Sequence, residues 1–535
     1  MPTKTLVIDN FTGNMVPQQN GDINSGNSYW LDVFGYDPFT KPRSLTWNER
    51  QTQIDSAGSV ITDLVLAGKV RVESGIIYVY CIGHTGRVYK IQVNDTATSN
   101  PDFDSPVLLA TLTSGTPTFL KGSFIDFFGS TERMYISHDK GVTRLDFDGT
   151  NETVVGVEAS WTQNVPKPMQ QFLGNLYVGH GIKLAEIASG GTVNTYSKLS
   201  PEFPTRVQLR DMKLTIDGNY LQMIVTEPAL SDVTSTIPDV PLVAPANSFI
   251  FKWNGVDNGY TSQIFFPNVV LNSCVLGSNS EYYMGYDNLG GAVYKGQDKI
   301  ETSLPDVVAG NASPNSVFVL NNQLIWGQTL FFSDNDWALI EVIGPVDKNY
   351  PDGFWATHFH QAVSPETDII NIPLFMLVSN LGRSGAASSY TDNYFMSPKV
   401  YYSTIETSTA PTTKYRLYKW PLYPTGRGTP IDGALFQTQN QIFSKKITVK
   451  EVRVYGEPWV TNNAFTVDLI GSNDGAITGG TQAFTAGTNL TVGDDFAWYN
   501  PAMKPIYSLA LRITNNGNKN FVIHKVEIDY SDGGK

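Results

Sequence analysis

Apolar and polar residues alternate along much of the chain, in short runs that are broken by turn residues. The segment YVYCIGHTGRVYKIQ, residues 78–92, holds an apolar run, a His-Gly break and a second alternating run. Nearly the same outline returns in MYISHDKGVTRLDF at 134–147 and in LYVGHGIKLAEI at 176–187. Alternation with a period of two is typical of half-buried β-strands, and the break is typical of a hairpin turn. The pattern therefore predicts one β-hairpin that is used several times.

The spacing of these hairpins predicts the architecture. One apolar or aromatic residue marks the same outer strand of each unit: Tyr78, Tyr135, Tyr177, Leu221, Tyr283 and Ile325. Three of the intervals are 42, 44 and 42 residues, within the roughly 40–50 residues of a four-stranded propeller blade. A lone hairpin is only marginally stable in water, so the units must stack. We predict a β-propeller of about 6–8 blades, in which the Pro- and Ser-rich residues 227–248 form a loop between two strands.

Changes in composition divide this all-β chain into four parts. Residues 1–60 form an irregular arm with isolated aromatic residues, which are Tyr29, Trp30, Phe34, Tyr36, Phe39 and Trp47. Residues 61–420 form the propeller, and the Pro- and Gly-rich residues 421–433 form a linker. Residues 434–535 alternate with regular turn signals and predict a β-sandwich or jelly roll. We expect the arm to dock into grooves of the same chain or of a neighbour, and KTLVID at 4–9 is a candidate for the strand that closes the propeller.

The composition agrees with an all-β fold and narrows the choice of partners. Aromatic residues make up 12% of the 535 residues and charged residues 16%, against about 25% charged residues in an average domain. With 37 basic and 50 acidic residues the net charge is −13, which argues against a broad electrostatic grip on nucleic acid or on an anionic membrane. No run approaches the roughly 18 apolar residues of a membrane-spanning helix. The apolar stretch in MPTKTLVID is too short for a signal peptide, so we expect synthesis in the cytosol.

Three of the six histidines recur at one place in the repeat and are the first candidates for a metal site. They are His84, His138 and His180, followed by Gly86, Gly141 and Gly181. Equivalent turns of a propeller form a ring, and three imidazoles that lie close together can bind zinc. Their sequence gaps match no zinc-ligand signature, however. We therefore expect these histidines to be solvated or bonded to the backbone of their turns.

The other clusters of ligand-type residues also favour structural roles. His358 and His360 lie two apart in ATHFHQ, on one face of a predicted strand, but no third ligand is identifiable. Asp146 and Asp148 precede Gly149 without the further acids and the closing Glu of an EF-hand loop, which predicts a turn.

Both cysteines, Cys81 and Cys274, lie in apolar runs and are expected to be buried and unpaired.

Motifs for catalysis are absent from the sequence. It contains no G-x-S-x-G, no H-E-x-x-H, no P-loop and no G-x-G-x-x-G that opens a helix. The segment SNDGAITGG from Ser472 resembles the start of a sialidase-type Asp box but lacks the Gly and Trp spacing that completes it. Paired carboxylates for glycoside hydrolysis depend on contacts in space and cannot be identified from spacing. We predict a protein that is not an enzyme, with no catalytic, cofactor-binding or metal-ligating residues.

Three segments of the chain resemble uncharacterised proteins of tailed bacteriophages, whose genes lie among virion genes. They are LVIDNFTGNMVPQQNGDINSGNSYWLDVFGYDPFTKP at 6–42, SAGSVITDLVLAGKVRVESGIIYVYCIGHTGRVYKIQ at 56–92 and FQTQNQIFSKKITVKEVRVYGEPWVTNNAFTVDLIGSNDG at 436–475. The resemblance covers most of the chain. Because these segments carry no chemical motif, the resemblance implies a location and a role and assigns no site residues.

The resemblance implies a structural virion protein of the tail, similar to nozzle, hub or adaptor proteins that place propellers around a DNA channel. The expected partners are other tail proteins and further copies in a ring, with DNA passing nearby without specific binding. The chain would be assembled in the host cytoplasm.

The alternative is a tail protein that binds a receptor or a carbohydrate, and a polysaccharide hydrolase is less favoured. For Trp459 and Trp498 of the C-terminal domain, a buried position is favoured over stacking on sugars.

Overall fold

The computed structural model is all-β, with propeller blades followed by a C-terminal sandwich. The structure describes part of the chain. The described residues are 3–9, 11, 30–34, 44–47, 52–54, 61–92, 105–113, 123–227, 246–276, 281–287, 290–302, 315, 317–320, 323–331, 336–344, 355–360, 367–371, 375–378, 399–408, 413–421, 434–438, 440–458, 465–472, 481–482, 495–499, 501, 504–515 and 521–532. In these ranges no helix has the length and hydrophobicity that crossing a membrane requires.

Three short strands precede the propeller within the described residues. They are β1 (Thr3–Ile8), β2 (Trp30–Phe34) and β3 (Thr52–Gln53). Each of them pairs with a strand far away in the sequence, so the N-terminal segment is built into the fold at three separate places.

Five antiparallel sheets of four strands follow, and each is laid out in chain order from its first to its fourth strand. Blade 1 contains β4 (Val65–Glu73), β5 (Ile76–Gly83), β6 (Arg87–Gln92) and β7 (Ser105–Thr111). Blade 2 contains β8 (Ile125–Phe128), β9 (Arg133–His138), β10 (Gly141–Leu145) and β11 (Thr153–Val154), followed by a 3-10 turn at Glu158–Ser160. Blade 3 contains β12 (Met169–Phe172), β13 (Asn175–His180), β14 (Lys183–Ile187) and β15 (Val193–Thr195). Blade 4 contains β16 (Gln208–Leu214), β17 (Leu221–Thr226), β18 (Ser248–Trp253) and β19 (Ser262–Phe266), and blade 5 contains β20 (Val270–Leu276), β21 (Glu281–Asp287), β22 (Gly290–Lys295) and β23 (Asp298–Thr302).

Two further blades complete the propeller. Blade 6 contains β24 (Val317–Leu320), β25 (Gln323–Phe331), β26 (Asp336–Gly344) and β27 (Trp355–His360). Blade 7 contains β28 (Thr367–Asn371), β29 (Phe375–Val378), β30 (Lys399–Ser408) and β31 (Thr413–Pro421). Both β28 and β29 pair with β30, so together they take the place of the first strand, and β3 pairs with β31 as the outermost strand.

The first strands of successive blades contact each other around a closed ring, from β4 through β8, β12, β16, β20 and β24 to β29, which returns to β4. The described strands therefore form a seven-bladed propeller, within the predicted range. The six residues chosen as repeat markers all fall on equivalent strands, but these are the second strands and not the outer ones. The prediction of an outer strand was wrong because alternation alone gives a strand's buried face and not its distance from the axis.

The prediction that KTLVID closes the propeller was also wrong. The closing strand does come from the N-terminal region, but it is β3, whereas β1 pairs with the last strand of the chain, β38 (Ile523–Asp532). Leu6 and Ile8 of β1 are buried and their neighbours are exposed. Any edge strand with one buried face shows this alternation, so the sequence pattern cannot identify which sheet the strand joins.

The C-terminal domain is a sandwich of two antiparallel layers. Its strands before β38 are β32 (Leu435–Thr438), β33 (Gln441–Gly456), β34 (Phe465–Ser472), β35 (Thr481–Gln482), β36 (Phe496–Tyr499) and β37 (Ile506–Asn515). One layer has the order β1-β38-β33-β36 and the other contains β32, β37, β34 and β35. The first residues of β33 pair with β37 and the rest with β38, so one long strand belongs to both layers. The linker was predicted at 421–433, but Pro421 is the last residue of β31, and residues 422–433 lie outside the described residues.

The described parts of the arm dock onto the same chain. Phe11 is fully buried, and its ring meets that of Phe436 edge-on at 5.3 Å between centroids. Trp47 is buried against Phe521 at 5.2 Å, beside a backbone bridge between Leu45 and Ile523. The arm had been predicted to be irregular, and here it contributes strands and anchoring side chains. Tyr29, Tyr36 and Phe39 lie outside the described residues.

Strand β2 joins the two domains through backbone pairing. It runs antiparallel to β32 over most of its length and pairs in parallel with β27 at Phe34 and His358. The outermost strand of blade 6 is thereby hydrogen-bonded, through the arm, to the C-terminal domain. These contacts make blade 6 and the sandwich parts of one continuous sheet.

Replacement of Leu6 by alanine tests the docking of β1. Its side chain is 5% exposed, so its truncation should cost about 2–4 kcal/mol of the free energy of unfolding of the C-terminal domain. The matched control is Val7→Ala on the same strand, because Val7 is 43% exposed and its truncation should cost less than about 0.5 kcal/mol. Denaturant unfolding of the two variants measures the difference. Equal effects of the two substitutions would contradict the pairing of β1 with β38.

Candidate functional sites

The three repeated histidines lie on one face of the propeller. His84 directly follows β5, and His138 and His180 are the last residues of β9 and β13. Since neighbouring strands are antiparallel, the second strand of each blade ends on the face where one blade connects to the next. The positions are equivalent, as the repeat predicted.

His84 belongs to a hydrogen-bonded group at the start of blade 1. Its Nδ1 accepts a hydrogen bond from the backbone N–H of Leu64 at 3.0 Å, and it contacts the carboxylate of Asp63. Asp63 is fully buried and accepts hydrogen bonds from the backbone N–H and the hydroxyl of Thr85, at 3.0 and 2.7 Å. This group ties the turn between the second and third strands to the first strand of the same blade.

His138 and His180 are buried and neutral. Nδ1 of His180 accepts the backbone N–H of Thr162 at 3.1 Å, and its Nε2 donates to the carbonyl of Tyr196 at 2.8 Å. Nδ1 of His138 accepts the backbone N–H of Lys140 at 3.3 Å, which likewise leaves the proton on Nε2. Burial, assisted by nearby lysines, lowers the pKa of His138 to about 3. Burial lowers the pKa of His180 to about 4.

Lys167 is the buried cation next to these turns. The residue is 1% exposed, and its ammonium group donates to the carbonyls of Asp139 and Val165 at 2.5 and 3.3 Å. Burial lowers its pKa to about 7. Its charge disfavours protonation of both His138 and His180.

The histidines are held separately in their own turns, and the described residues contain no group of three or more His, Cys, Asp or Glu side chains arranged to bind a metal. His358 and His360 both lie on β27, as the predicted strand required. The interpretation of Asp146 and Asp148 as turn residues is confirmed. Asp148 accepts the backbone N–H of Thr150 at 2.9 Å, and Gly149 has a φ of +86°.

The interpretation of Cys81 and Cys274 as buried, unpaired residues is also confirmed. Burial raises the pKa of both thiols, so neither is poised as a nucleophile.

The wall of the central channel carries paired charges. Lys69 of β4 forms an ion pair with Asp126 of β8, and the side-chain amide of Gln171 on β12 donates to the same carboxylate at 3.0 Å. These contacts link blades 1, 2 and 3. Asp126 also interacts electrostatically with Lys213 of β16, two blades away.

A second buried carboxylate links blades 4 and 5. Asp211 of β16 is fully buried and accepts hydrogen bonds from the hydroxyl of Ser273 at 3.0 Å and from the backbone N–H of Cys274 at 3.1 Å, both on β20. The backbone N–H of Met212 and the ammonium group of Lys213 lie at 2.8 and 3.4 Å from its other oxygen. Burial raises the pKa of Asp211, and Lys213 works in the opposite direction.

The side chain of Asn315 bonds to the backbone at two other places in the propeller. The amide of Asn315, just before β24, donates to the carbonyl of Leu66 at 3.2 Å and to that of Ser123 at 2.7 Å. Leu66 belongs to blade 1, and Ser123 lies just before blade 2. Asn315 therefore ties the start of blade 6 to the backbone of blade 1 and of the segment before blade 2.

A cleft of about 490 Å³ opens beside the turns of blade 4 and is lined by Thr215, Ile216, Asp217, Tyr220, Lys252, Thr261, Ser262 and Glu281. Its two carboxylates are already bonded. Glu281 accepts from Lys252 at 2.9 Å and from the hydroxyl of Tyr283 at 2.7 Å. Hydrogen bonds, the first of them from Thr215, lower the pKa of Asp217. This shift is opposite to the raised pKa that a general acid needs near neutral pH.

The outer face of the first sandwich layer carries exposed aromatic residues on β36. Trp498 is 51% exposed and Phe496 is 38% exposed. The Phe496 ring packs against Tyr455 of β33 at 5.0 Å between centroids, and Trp498 lies opposite Arg453 in the register. The favoured interpretation of Trp498 as a buried residue was therefore wrong. It lies on the solvent side of a two-layer sandwich, and strand alternation alone cannot distinguish the two sides. Trp459 lies outside the described residues.

A charged network lies beside these rings. Glu527 of β38 accepts from the hydroxyl of Tyr455 at 3.0 Å and from the ammonium group of Lys525 at 2.9 Å. Arg453 binds Asp529 at 2.7 Å and lies 3.3 Å from Glu527. The contacts of Arg453 and Tyr455 with β38 join residues more than seventy positions apart, so no local pattern in the sequence indicates them.

The closed ring of seven radial sheets defines the chain as a β-propeller protein with an added sandwich. No protein-family model and no curated protein matches the sequence. Among solved structures, the chain is similar to the WD40 domain of Neurospora crassa Pan2, with 9% identity, a TM-score of 0.38 and coverage of 71% of this chain and 98% of that one. It is also similar to the Dos1 propeller, with 10% identity, a TM-score of 0.35 and coverage of 71% and 84%. The extracellular domain of a hybrid two component system from B. thetaiotaomicron has 10% identity and a TM-score of 0.41, with coverage of 93% of this chain and 63% of that one.

Proposed function

We propose that the chain is a structural component of a bacteriophage tail, a nozzle, hub or adaptor protein that forms a homo-oligomeric ring around the DNA channel. The observation that carries the proposal is the backbone pairing of β2 with both blade 6 and the sandwich. A protein that bears load in a particle needs its domains fixed to each other. A short flexible linker alone would leave them free to move.

The chemistry of the described residues is consistent with this role. The buried histidines, Asp63, Asp126 and Asp211 are all bonded within the chain, and each such group joins a turn to a strand or one blade to the next. Groups used in this way stabilise the propeller and are not available to a substrate. In this proposal the chain acts as a scaffold without catalysis.

The path of DNA in this proposal lies between copies. Asp126 bonds to side chains of the adjacent blades, and Asn315 joins the start of blade 6 to the backbone of blade 1 and of the segment before blade 2. In this proposal a duplex passes through the lumen of the ring and not through one propeller. The net charge of −13 would repel phosphates from that lumen if acidic residues line it.

Native mass spectrometry of the purified chain tests the oligomer. The proposal predicts one closed assembly with a fixed number of copies, or a monomer that forms it when a neighbouring tail protein is added. A chain that stays monomeric with every tail protein of its particle would contradict the proposal.

A further inference from the structure

The exposed rings on β36 form a surface that the fold itself does not use. Phe496 and Trp498 are two residues apart, so both rings point to the outer face, while Ala497 between them is 3% exposed. Tyr455 extends the apolar strip across the sheet, with Phe496 on one side and the ammonium group of Lys525 4.3 Å from its ring centre. We call Phe496, Trp498 and Tyr455 the aromatic strip.

The strip is bordered by polar groups in fixed positions. Next to Trp498 in the register is Arg453, and beyond it come Glu527 of β38 and Val7 of β1. Arg453 is held by Asp529, whose other oxygen accepts the hydroxyl of Thr5 at 2.5 Å. The sheet thus presents aromatic faces beside carboxylates that are already positioned by neighbours and retain capacity to accept further hydrogen bonds.

The balance of charge on this face indicates the chemistry of a ligand. Arg453, Lys525 and Lys4 lie among the acids Glu451, Glu527, Asp529 and Asp532, and most of these charges are paired with each other. An anionic polymer would find no excess positive charge here, and a cation would have to compete with the existing pairs. An uncharged ligand with an apolar face and many hydroxyl groups fits this surface. Its apolar face suits the aromatic strip, and its hydroxyl groups suit the bordering polar side chains.

We infer that the aromatic strip binds a neutral polysaccharide, with a sugar ring stacked on Trp498 and its hydroxyl groups bonded to the bordering polar side chains. The surface is an open sheet face and not an enclosed pocket, so an extended chain suits it better than a single sugar. This site goes beyond the scaffold role and does not depend on whether the chain forms a ring. It would let the assembled protein adhere to a glycan-coated surface.

Affinity electrophoresis of the full chain tests the inference, with dextran, mannan, xyloglucan and mixed-linkage β-glucan as neutral probes and alginate as the anionic probe. We expect at least one neutral polysaccharide to retard the wild-type chain. Trp498→Ala should weaken that association about tenfold because it removes the stacking surface. Trp498→Phe keeps an aromatic face and should retain part of the binding.

The matched control is Tyr507→Ala. Tyr507 is an aromatic residue of the other layer with 38% exposure, the same fraction as Phe496, so its removal should leave retardation unchanged. Unchanged thermal unfolding midpoints of all variants establish that they are folded.

Four results would overturn the inference. They are the absence of retardation by every neutral probe, equal retardation of wild type and Trp498→Ala, binding of alginate alone, and loss of the native oligomer in Trp498→Ala with unchanged glycan binding. The last result would identify the strip as an interface between protein chains.

Discussion

Replacement of Asp211 by alanine is expected to lower the free energy of unfolding of the propeller by about 3–5 kcal/mol. The fully buried carboxylate receives hydrogen bonds from Ser273 and Cys274 of blade 5 and lies beside Lys213 of its own strand. Its removal takes one acceptor from a buried hydroxyl, one acceptor from a buried backbone N–H, and the neighbouring opposite charge from Lys213. Denaturant unfolding followed by tryptophan fluorescence measures the loss.

The control for Asp211 is Asp217→Ala in the turn that follows the same strand. Asp217 also accepts hydrogen bonds, from Thr215 and Asn219, but these groups can bond to water when the carboxylate is removed. We expect a cost below about 1 kcal/mol. A similarly small cost for Asp211→Ala would contradict the assigned contact between blades 4 and 5.

Acidification from pH 7.5 to pH 5 is expected to destabilise the propeller by roughly 4 kcal/mol. The pKa values of His138 and His180 are lowered to about 3 and about 4 from an ordinary value of 6.5. Between the lowered and the ordinary value the unfolded chain binds more protons than the folded chain. The contribution of the two neutral histidines to the free energy of unfolding is therefore fully present above pH 6.5 and falls as the pH drops toward 4. At pH 5 the loss is about 2 kcal/mol for each histidine.

The physical cause of this pH dependence is the bonding of Nδ1. In both residues Nδ1 accepts a backbone N–H, and a proton on this atom would remove the acceptor and place a charge near Lys167. The unfolding midpoint of the wild type, measured from pH 7.5 to pH 5, should fall with acidification. His180→Gln should lose about half of the pH dependence that the two histidines cause, since one of them is gone. A wild-type chain with the same stability at both pH values would contradict the buried, neutral assignment.

The strands and their repetition could be predicted from sequence because alternation and turn residues are local signals. The recurrence of His84, His138 and His180 identified equivalent turns, and the structure places all three at the ends of second strands. The pairing partners could not be predicted in the same way. Strand β1 has a clear pattern, yet nothing in that pattern distinguishes an edge of the propeller from the edge of the sandwich.

The side-chain contacts that join neighbouring blades also could not be predicted from local sequence patterns. Lys69 and Asp126 are 57 positions apart, and Asp211 and Ser273 are 62 positions apart. Each contact depends on the packing of one blade against the next, so the sequence shows only isolated charged residues. The prediction of a buried Trp498 was wrong for a related reason. The face of the sheet on which Trp498 lies is decided by the register of β36 with β33.

The proposed function and the inferred glycan surface make different demands on the chain. A scaffold role depends on the fixed junction through β2, whereas glycan binding depends on the outer face of β36. A protein at the outside of a particle can combine the two, because the junction lies between the domains and the aromatic strip faces away from the sandwich core.

Electron cryo-microscopy of the phage particle to which the proposal assigns this chain tests the central claim most directly. The account predicts several copies in a ring around the tail axis, with the propeller and the sandwich in fixed contact and the DNA path between copies. Copies that project singly from the tip or the side of the tail, or absence of the chain from the particle, would contradict the structural role.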